Sequence, residues 1–415
     1  MLVYFKVKNF KSVKEPVVIN FNAAGISEHT DSNIFQEAGM DLLRSIVLYG
    51  HNASGKSKII DALLFYKTWI ADSVNESLSE KLFPQPFALS TETEKLPSLF
   101  EAEFILNGIR YRYGFELDSE KVHKEWLLEA KSPNGKDYPV FLRIGQEFEI
   151  DEKRFPDGED LVKKTRSNAL FLTVGSQWNV EKALEIVHWF KKMAVISGLD
   201  DQSTSRKTLE YLQNPVHAAK IKELIKRADL GIEDLFASED DGVINAAKQN
   251  DLFRARIEPR VETRHLKYNK QGEVEGYTSF LLHKDESAGT NKYFNLIGSI
   301  LFAIESDAVI VIDEFDARLH TLLSKAIIRL FNSDKAKFKA QLFVSSHDTA
   351  LLDRVLLRRD QIYFVSKDEK GASSVTALVE YKPRKESPYD KSYLEGKYGA
   401  IPFIEEFESL LSNAK

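Results

Sequence analysis

With 415 residues the chain is longer than one ordinary core requires, so two to three packed units are expected. Its 43% hydrophobic and 29% charged residues match folded soluble proteins and argue against disorder. A net charge of -6 excludes a uniformly basic nucleic-acid binder while leaving room for a local basic face, and the absence of cysteine removes disulfides, thiol catalysis and cysteine-ligated metals.

Taken in chain order, Met1 to Lys8 alternates charged and apolar residues, which is the wrong pattern for an export signal and predicts a cytoplasmic location. Val3, Phe5, Val7 and then Val17, Ile19, Phe21 flank Lys14-Glu15-Pro16, the pattern of two paired strands. Leu42 to Tyr49 reads as a buried strand, Gly50 to Ser57 as a loop, and Lys58 to Asn75 as a helix carrying Ile59, Leu63, Tyr66 and Ile70 at helical spacing. Two strand-like runs, Phe100 to Leu106 and Tyr111 to Leu117, surround the turn signal Asn107-Gly108 and predict an antiparallel hairpin. Residues 161–230 have helical periodicity, so a helical insertion is expected at 181–262, between an N-terminal lobe at 1–180 and a C-terminal lobe at 263–415.

In the C-terminal lobe, residues 264–283 return to strands about Lys270-Gln271-Gly272, and Lys292 to Ala303 reads as a helix. Ala308 to Ile312 and Gln341 to Ser345 are apolar strands that end in Asp313-Glu314 and Ser346-His347. The most apolar stretch, Tyr293 to Ile312, is interrupted by Glu305, Ser306 and Asp307, so no bilayer span is expected. Polar residues discharged at the C-terminal ends of buried strands mark the crevice where α/β sheets bind ligands.

Gly50-His51-Asn52-Ala53-Ser54-Gly55-Lys56-Ser57 fits G-x-x-x-x-G-K-[ST] in a strand-loop-helix setting. Glycines at Gly50 and Gly55 let backbone N–H groups from Asn52, Ala53, Ser54 and their neighbours wrap phosphates at a helix N-terminus. Lys56 is expected to neutralise the β- and γ-phosphates, and Ser57 to ligate Mg²⁺. Val309 to Glu314 has the form of a Walker B strand, with Asp313 expected at the metal, directly or through water, and Glu314 as the general base that polarises the attacking water. ATP and Mg²⁺ are the cofactors these motifs imply.

With these motifs the chain resembles an ABC-type ATPase head of the SMC/RecF/OLD group: an α/β P-loop fold with an antiparallel β-subdomain and a helical insertion. The resemblance implies that Ser287-Ala288-Gly289-Thr290 is a signature motif, with Ser287 and Gly289 meeting the nucleotide of an opposing chain. An ordinary helix N-cap at Ser287 is the alternative reading. It further implies that His347 is a switch histidine near the γ-phosphate and that Gln177 is a Q-loop ligand to the metal, although a polar strand end there would look the same. His320 stands where many ABC ATPases carry an aspartate, which departs from the transporter pattern.

Asn9-Phe10-Lys11-Ser12, the Asn168 to Leu172 segment, Ser287 to Thr290 and Tyr393 to Pro402 together resemble the bacterial abortive-infection ATPases, RloA-like or PARIS-type. That narrower resemblance implies an ATP-hydrolysing sensor or scaffold in antiphage defence, active as a homodimer or higher homo-oligomer, with a separately encoded effector (nuclease or other toxin) and a phage protein as trigger. The competing reading is a RecF-like DNA-repair ATPase that clamps DNA through clusters such as Lys163-Lys164, Arg166 and Arg206-Lys207. An ATP-binding protein that does not turn over is a further alternative. An OLD-type nuclease would need a Toprim domain after the ATPase, and the residues after His347 are too few for one, so no intrinsic nuclease activity is expected.

Overall fold

Arg44 divides the run that reads as one buried strand. Met40–Leu43 pairs antiparallel with Ile34–Glu37, whereas Ser45–Tyr49, buried throughout, enters the central sheet. At the break the Arg44 guanidinium donates to Phe338 O at 2.7 Å and its N–H donates to Asn33 O at 2.9 Å. The structure is a computed structural model that describes residues 1–75, 83–132, 135–199, 201–228, 230–238, 260–384 and 387–401, without the side chains of 201–204. Residues 239–259 of the expected insertion, and Pro402, lie outside the described residues.

The central sheet runs in the order Ala194–Ser197, Val309–Asp313, Gln341–Ser345, Ser45–Tyr49, Ile362–Lys367, Ser373–Ala377. All but the last strand are parallel to their neighbours, so their C-terminal ends emerge along one edge. A second, seven-stranded antiparallel sheet contains Leu2–Lys8 paired with Val17–Asn20, and Ser98–Leu106 paired with Ile109–Leu117. Between the latter two strands Asn107 and Gly108 take φ of +52° and +76°, the left-handed pair that a tight hairpin turn demands.

Helix Lys56–Asp72 lies between the two sheets. Ile59, Leu63, Tyr66 and Ile70 are all buried, in one core with Phe5, Phe100, Phe115, Val309 and Val311. Each large apolar side chain so buried contributes roughly 1.5–3 kcal/mol. The Tyr66 hydroxyl donates to Tyr113 O at 2.8 Å, which satisfies the one polar atom the ring carries into that core. On the opposite face of the sheet, Val47, Ile310, Ile312 and Val344 pack with Ile297 and Ile300 of helix Ala288–Glu305. This is the α/β P-loop head expected, with its antiparallel β-subdomain.

The 181–262 interval contains helices Glu181–Lys192, Asp201–Leu212 and Pro215–Arg227, but it is not wholly helical. Ala194–Ser197 is an edge strand of the central sheet, paired in parallel with Val309–Asp313, and Asp234–Ser238 joins a small sheet with Arg260–Tyr268 and Val274–Leu281. Chain expected in an insertion therefore completes one side of the central sheet. Among the described residues no helix is long and apolar enough to cross a membrane.

Candidate functional site

The Gly50–Ser57 loop leaves the buried Ser45–Tyr49 strand and enters helix Lys56–Asp72 with Gly55 as N-cap. Gly55 has φ +112°, and a Cβ on it would lie 2.1 Å from Ser373 Oγ; a Cβ on Gly50 would lie 2.4 Å from Val365 O. Both positions exclude any side chain. Ser373 supports the loop from outside: its hydroxyl donates to Ser54 O at 2.7 Å and lies 2.9 Å from Ser12 Oγ, while its N–H donates to Ser12 O at 2.7 Å.

Lys56 is only 5% exposed, and its ammonium donates to Gly50 O at 2.7 Å and His51 O at 3.3 Å. Burial pushes its pKa down to about 8, against the opposing pull of Asp313, Asp316 and Glu314. A buried cation facing three carboxylates is suited to accept the negative charge of phosphates.

Asn52, Ala53, Ser54, Gly55, Lys56 and Ser57 line a cleft of about 1250 Å³, and so do Glu314 and His347. Sheet order explains the convergence, because Ser45–Tyr49, Val309–Asp313 and Gln341–Ser345 discharge at the same edge. Gly50 and Asp313 are not among the lining residues. Glu314 turns out of its strand with φ +49°. The His347 N–H donates to Asp316 Oδ2 at 3.1 Å, and desolvation, followed by the charge of Lys56, lowers the imidazole pKa although Asp316, Glu314 and Asp313 oppose the shift. Both lowering effects favour the neutral imidazole.

Three expected residues stand elsewhere. Ser287 caps helix Ala288–Glu305, its Oγ accepting the Thr290 N–H at 3.1 Å, so the helix-cap reading is realised within the chain. Gly289 lies against the Asp316–His320 segment, where a Cβ would come within 2.9 Å of Arg318 O. Gln177, expected as a metal ligand, is exposed at the end of helix Phe171–Gln177, not at a strand end. That helix meets the far end of Lys56–Asp72, where Thr173 Oγ1 donates to Ile70 O at 2.9 Å, about 21 Å along the helix from the P-loop. The reason is the buried Glu125, which accepts the Phe171 and Leu172 N–H groups at 2.7 and 3.0 Å and pairs with Arg143 at 3.2 Å, fixing this segment to the antiparallel sheet. His320 caps the following helix, its Nδ1 accepting the Leu322 N–H at 3.2 Å.

Residues to which the sequence analysis gave no role in the site also border it. Lys11 and Ser12 line the cleft beside the P-loop. Ser345 bonds both Asp313 and Glu314. Lys292 donates to Gly198 O, and the Gly198 N–H donates to Asp313 O at 2.6 Å, bracing the Val309–Asp313 strand from the other side. Lys11 and Ser12 belong to the Asn9-Phe10-Lys11-Ser12 segment that carries part of the family resemblance; of the others Ser345 alone carries a hint, as the residue before Ser346-His347. The set fits a magnesium nucleotide: the cradle excludes Cβ atoms at both glycines, Lys56 supplies charge, and Ser57 and Asp313 offer the hard oxygen donors Mg²⁺ prefers.

The chain is similar in fold to the SMC head domain from Thermotoga maritima, at 17% identity over 91% of this chain and 98% of that one with a TM-score of 0.43. It is also similar to the Smc head domain with an extended coiled coil from Pyrococcus furiosus, at 14% identity over 92% of this chain and 97% of that one with a TM-score of 0.37. No curated protein matches it. The family described as "AAA domain, putative AbiEii toxin, Type IV TA system" matches residues 45–353, from the strand before the P-loop to just beyond His347, and the chain belongs to that family.

Proposed function

We propose that this chain binds ATP with Mg²⁺ and hydrolyses it, and that it is the sensor or scaffold ATPase of an antiphage, abortive-infection system that controls a separately encoded effector. The observation that carries the ATPase reading is the single cleft lined by the P-loop, Glu314 and His347. The family description, which names the AbiEii toxin, supports the defence context.

In this reading the Asn52 to Ser57 amides cradle the phosphates and Lys56 neutralises them. Ser57 and Asp313 would hold Mg²⁺, which would supply positive charge against that developing on the phosphate oxygens. Glu314, displaced past Asp313 by its left-handed turn, accepts the proton of the attacking water, and His347 lines the same cleft. Ser287 and Gly289, at an exposed helix start outside this cleft, serve the nucleotide of a second chain, so the active unit is a homodimer.

Steady-state phosphate release, with Lys56→Ala as control, tests the activity. Phage plating on cells carrying the chain with its neighbouring genes tests the role: protection lost in Glu314→Gln supports it, and protection indifferent to both substitutions overturns it.

A further inference from the structure

Tyr393 to Ala400 has no part in the roles assigned above, yet it touches the P-loop. Helix Tyr389–Leu394 runs into a turn whose Gly396 and Gly399 take φ of +77° and +67°, and the Gly399 N–H donates to Gly396 O at 3.0 Å. The turn delivers Ala400, which is fully buried, to the start of the loop. There Ala400 O accepts two hydrogen bonds, from the His51 N–H at 3.0 Å and from the Tyr393 hydroxyl at 3.1 Å.

The His51 N–H belongs to the same peptide unit as Gly50 O, the carbonyl that accepts the Lys56 ammonium at 2.7 Å. That unit is planar and trans, so holding its N–H on Ala400 sends its C=O the opposite way, toward Lys56. Gly50 offers little restraint of its own, because glycine tolerates wide backbone rotation. The restraint comes from outside the loop. Tyr393 stacks on Phe364 with centroids 5.4 Å apart and lies 6.2 Å from Tyr49, the residue before Gly50; Tyr398 stacks on the same Phe364 at 4.7 Å. The Tyr381 hydroxyl donates to Tyr398 O at 3.0 Å and closes the assembly.

We propose that the Tyr393–Ala400 turn is a positioning element for nucleotide binding: by fixing the Gly50–His51 peptide it sets the place of Lys56 before phosphate arrives. The proposal rests on the P-loop reading given above. Loss of the brace weakens nucleotide affinity although no residue of the turn contacts nucleotide.

The test uses substitutions on the full chain. A Cβ on Gly399 meets nothing within 4 Å, so Gly399→Val acts through the backbone, which a β-branched residue disfavours at positive φ, whereas Gly399→Asn tolerates it. Tyr393→Phe keeps the ring stack and removes the donor to Ala400. Affinity for a fluorescent ATP analogue with Mg²⁺ and the melting midpoint without nucleotide are measured for each. Affinity is expected to fall about fivefold in Tyr393→Phe, the worth of one net hydrogen bond, and about tenfold or more in Gly399→Val. Gly399→Asn is expected to stay near the parent in affinity, while ligand-free melting midpoints fall by about 2–4 °C in Tyr393→Phe and by more in Gly399→Val, so affinities are compared at a temperature where every variant is folded. Parental affinity in Gly399→Val, or equal losses in Gly399→Val and Gly399→Asn, overturns the proposal. Equal binding by the parent and Lys56→Ala would instead overturn the P-loop reading, and the proposal with it.

Discussion

Ser345 and Asp313 meet side chain to side chain across adjacent parallel strands, the serine hydroxyl donating to Asp313 Oδ1. The same hydroxyl accepts the Glu314 N–H at 2.8 Å, and Ser345 O accepts the Phe315 N–H at 3.0 Å. Glu314 has φ +49°, a left-handed conformation that costs a glutamate energy and persists only where neighbours hold it. One hydroxyl thus orients the Asp313 carboxylate and fixes the turn that brings Glu314 to the cleft.

Ser345→Ala removes both bonds from a fully buried position. It is expected to lower the unfolding free energy by about 1–3 kcal/mol, as for buried groups that lose a partner, and to reduce ATP turnover by about tenfold while leaving ATP affinity nearly unchanged. Denaturant titration and steady-state phosphate release check it. Parental turnover would detach Ser345 from the chemistry.

Lys56→Ala is expected to abolish nucleotide binding, since the backbone cradle remains but its charge is gone. The parental protein carries a related signature in its pH dependence. Burial favours the neutral amine and lowers the Lys56 pKa to about 8, so in the free protein the ammonium is present below pH 8 and is lost as pH rises through it. Phosphate needs the ammonium. Affinity should therefore be greatest below pH 8 and fall above it, approaching tenfold per pH unit as binding takes up one proton. Calorimetric titration between pH 7 and 10 reads this, and a flat profile would contradict the role of Lys56.

Glu314→Gln keeps the size of the side chain and removes the base. Binding is expected to survive while turnover falls by about 10²–10⁴-fold. Parental turnover in this variant would exclude Glu314 as the base and leave Asp316, whose carboxylate accepts the His347 N–H, as the candidate.

Local pattern made the P-loop, its flanking strand and helix, and the strand ending in Asp313-Glu314 legible, because each rests on contiguous residues. Ile59, Leu63, Tyr66 and Ile70 announced their buried face by spacing alone. Ala194–Ser197 was not legible: a strand of 4 residues beside a helix is too short to show a period of two. Gln177 misled because an apolar run of the length of Leu170 to Gly175 fits a buried strand as well as a helix, and only the contact with Glu125 decides. Ser345 and Ala400 owe their roles to neighbours remote in sequence, which no local pattern encodes.

The architecture itself is tested by complementation. Lys56 is proposed to act on the nucleotide of its own chain, and Ser287, an exposed residue outside the cleft, on that of the opposing chain. The variant must separate this role from helix capping, since Ser287 Oγ accepts the Thr290 N–H. Substituting Gly289 is less informative, because a Cβ there already comes within 2.9 Å of Arg318 O in the same chain. Ser287→Asp is the better choice: aspartate caps a helix as well as serine does, so the fold is kept, while its charge repels a phosphate arriving from across an interface. Lys56→Ala and Ser287→Asp chains should each be inactive alone. Mixed, and given time for subunit exchange, they should form heterodimers in which one composite site has both an intact P-loop and an intact Ser287, and phosphate release should partly return. Differently tagged chains verify the exchange. If Ser287→Asp is inactive alone, exchange occurs and no activity returns, both sites must fire together. Full activity of Ser287→Asp alone selects the cap, whereas an inactive Ser287→Asp chain whose Glu314→Gln form no longer dimerises with ATP selects coupled sites.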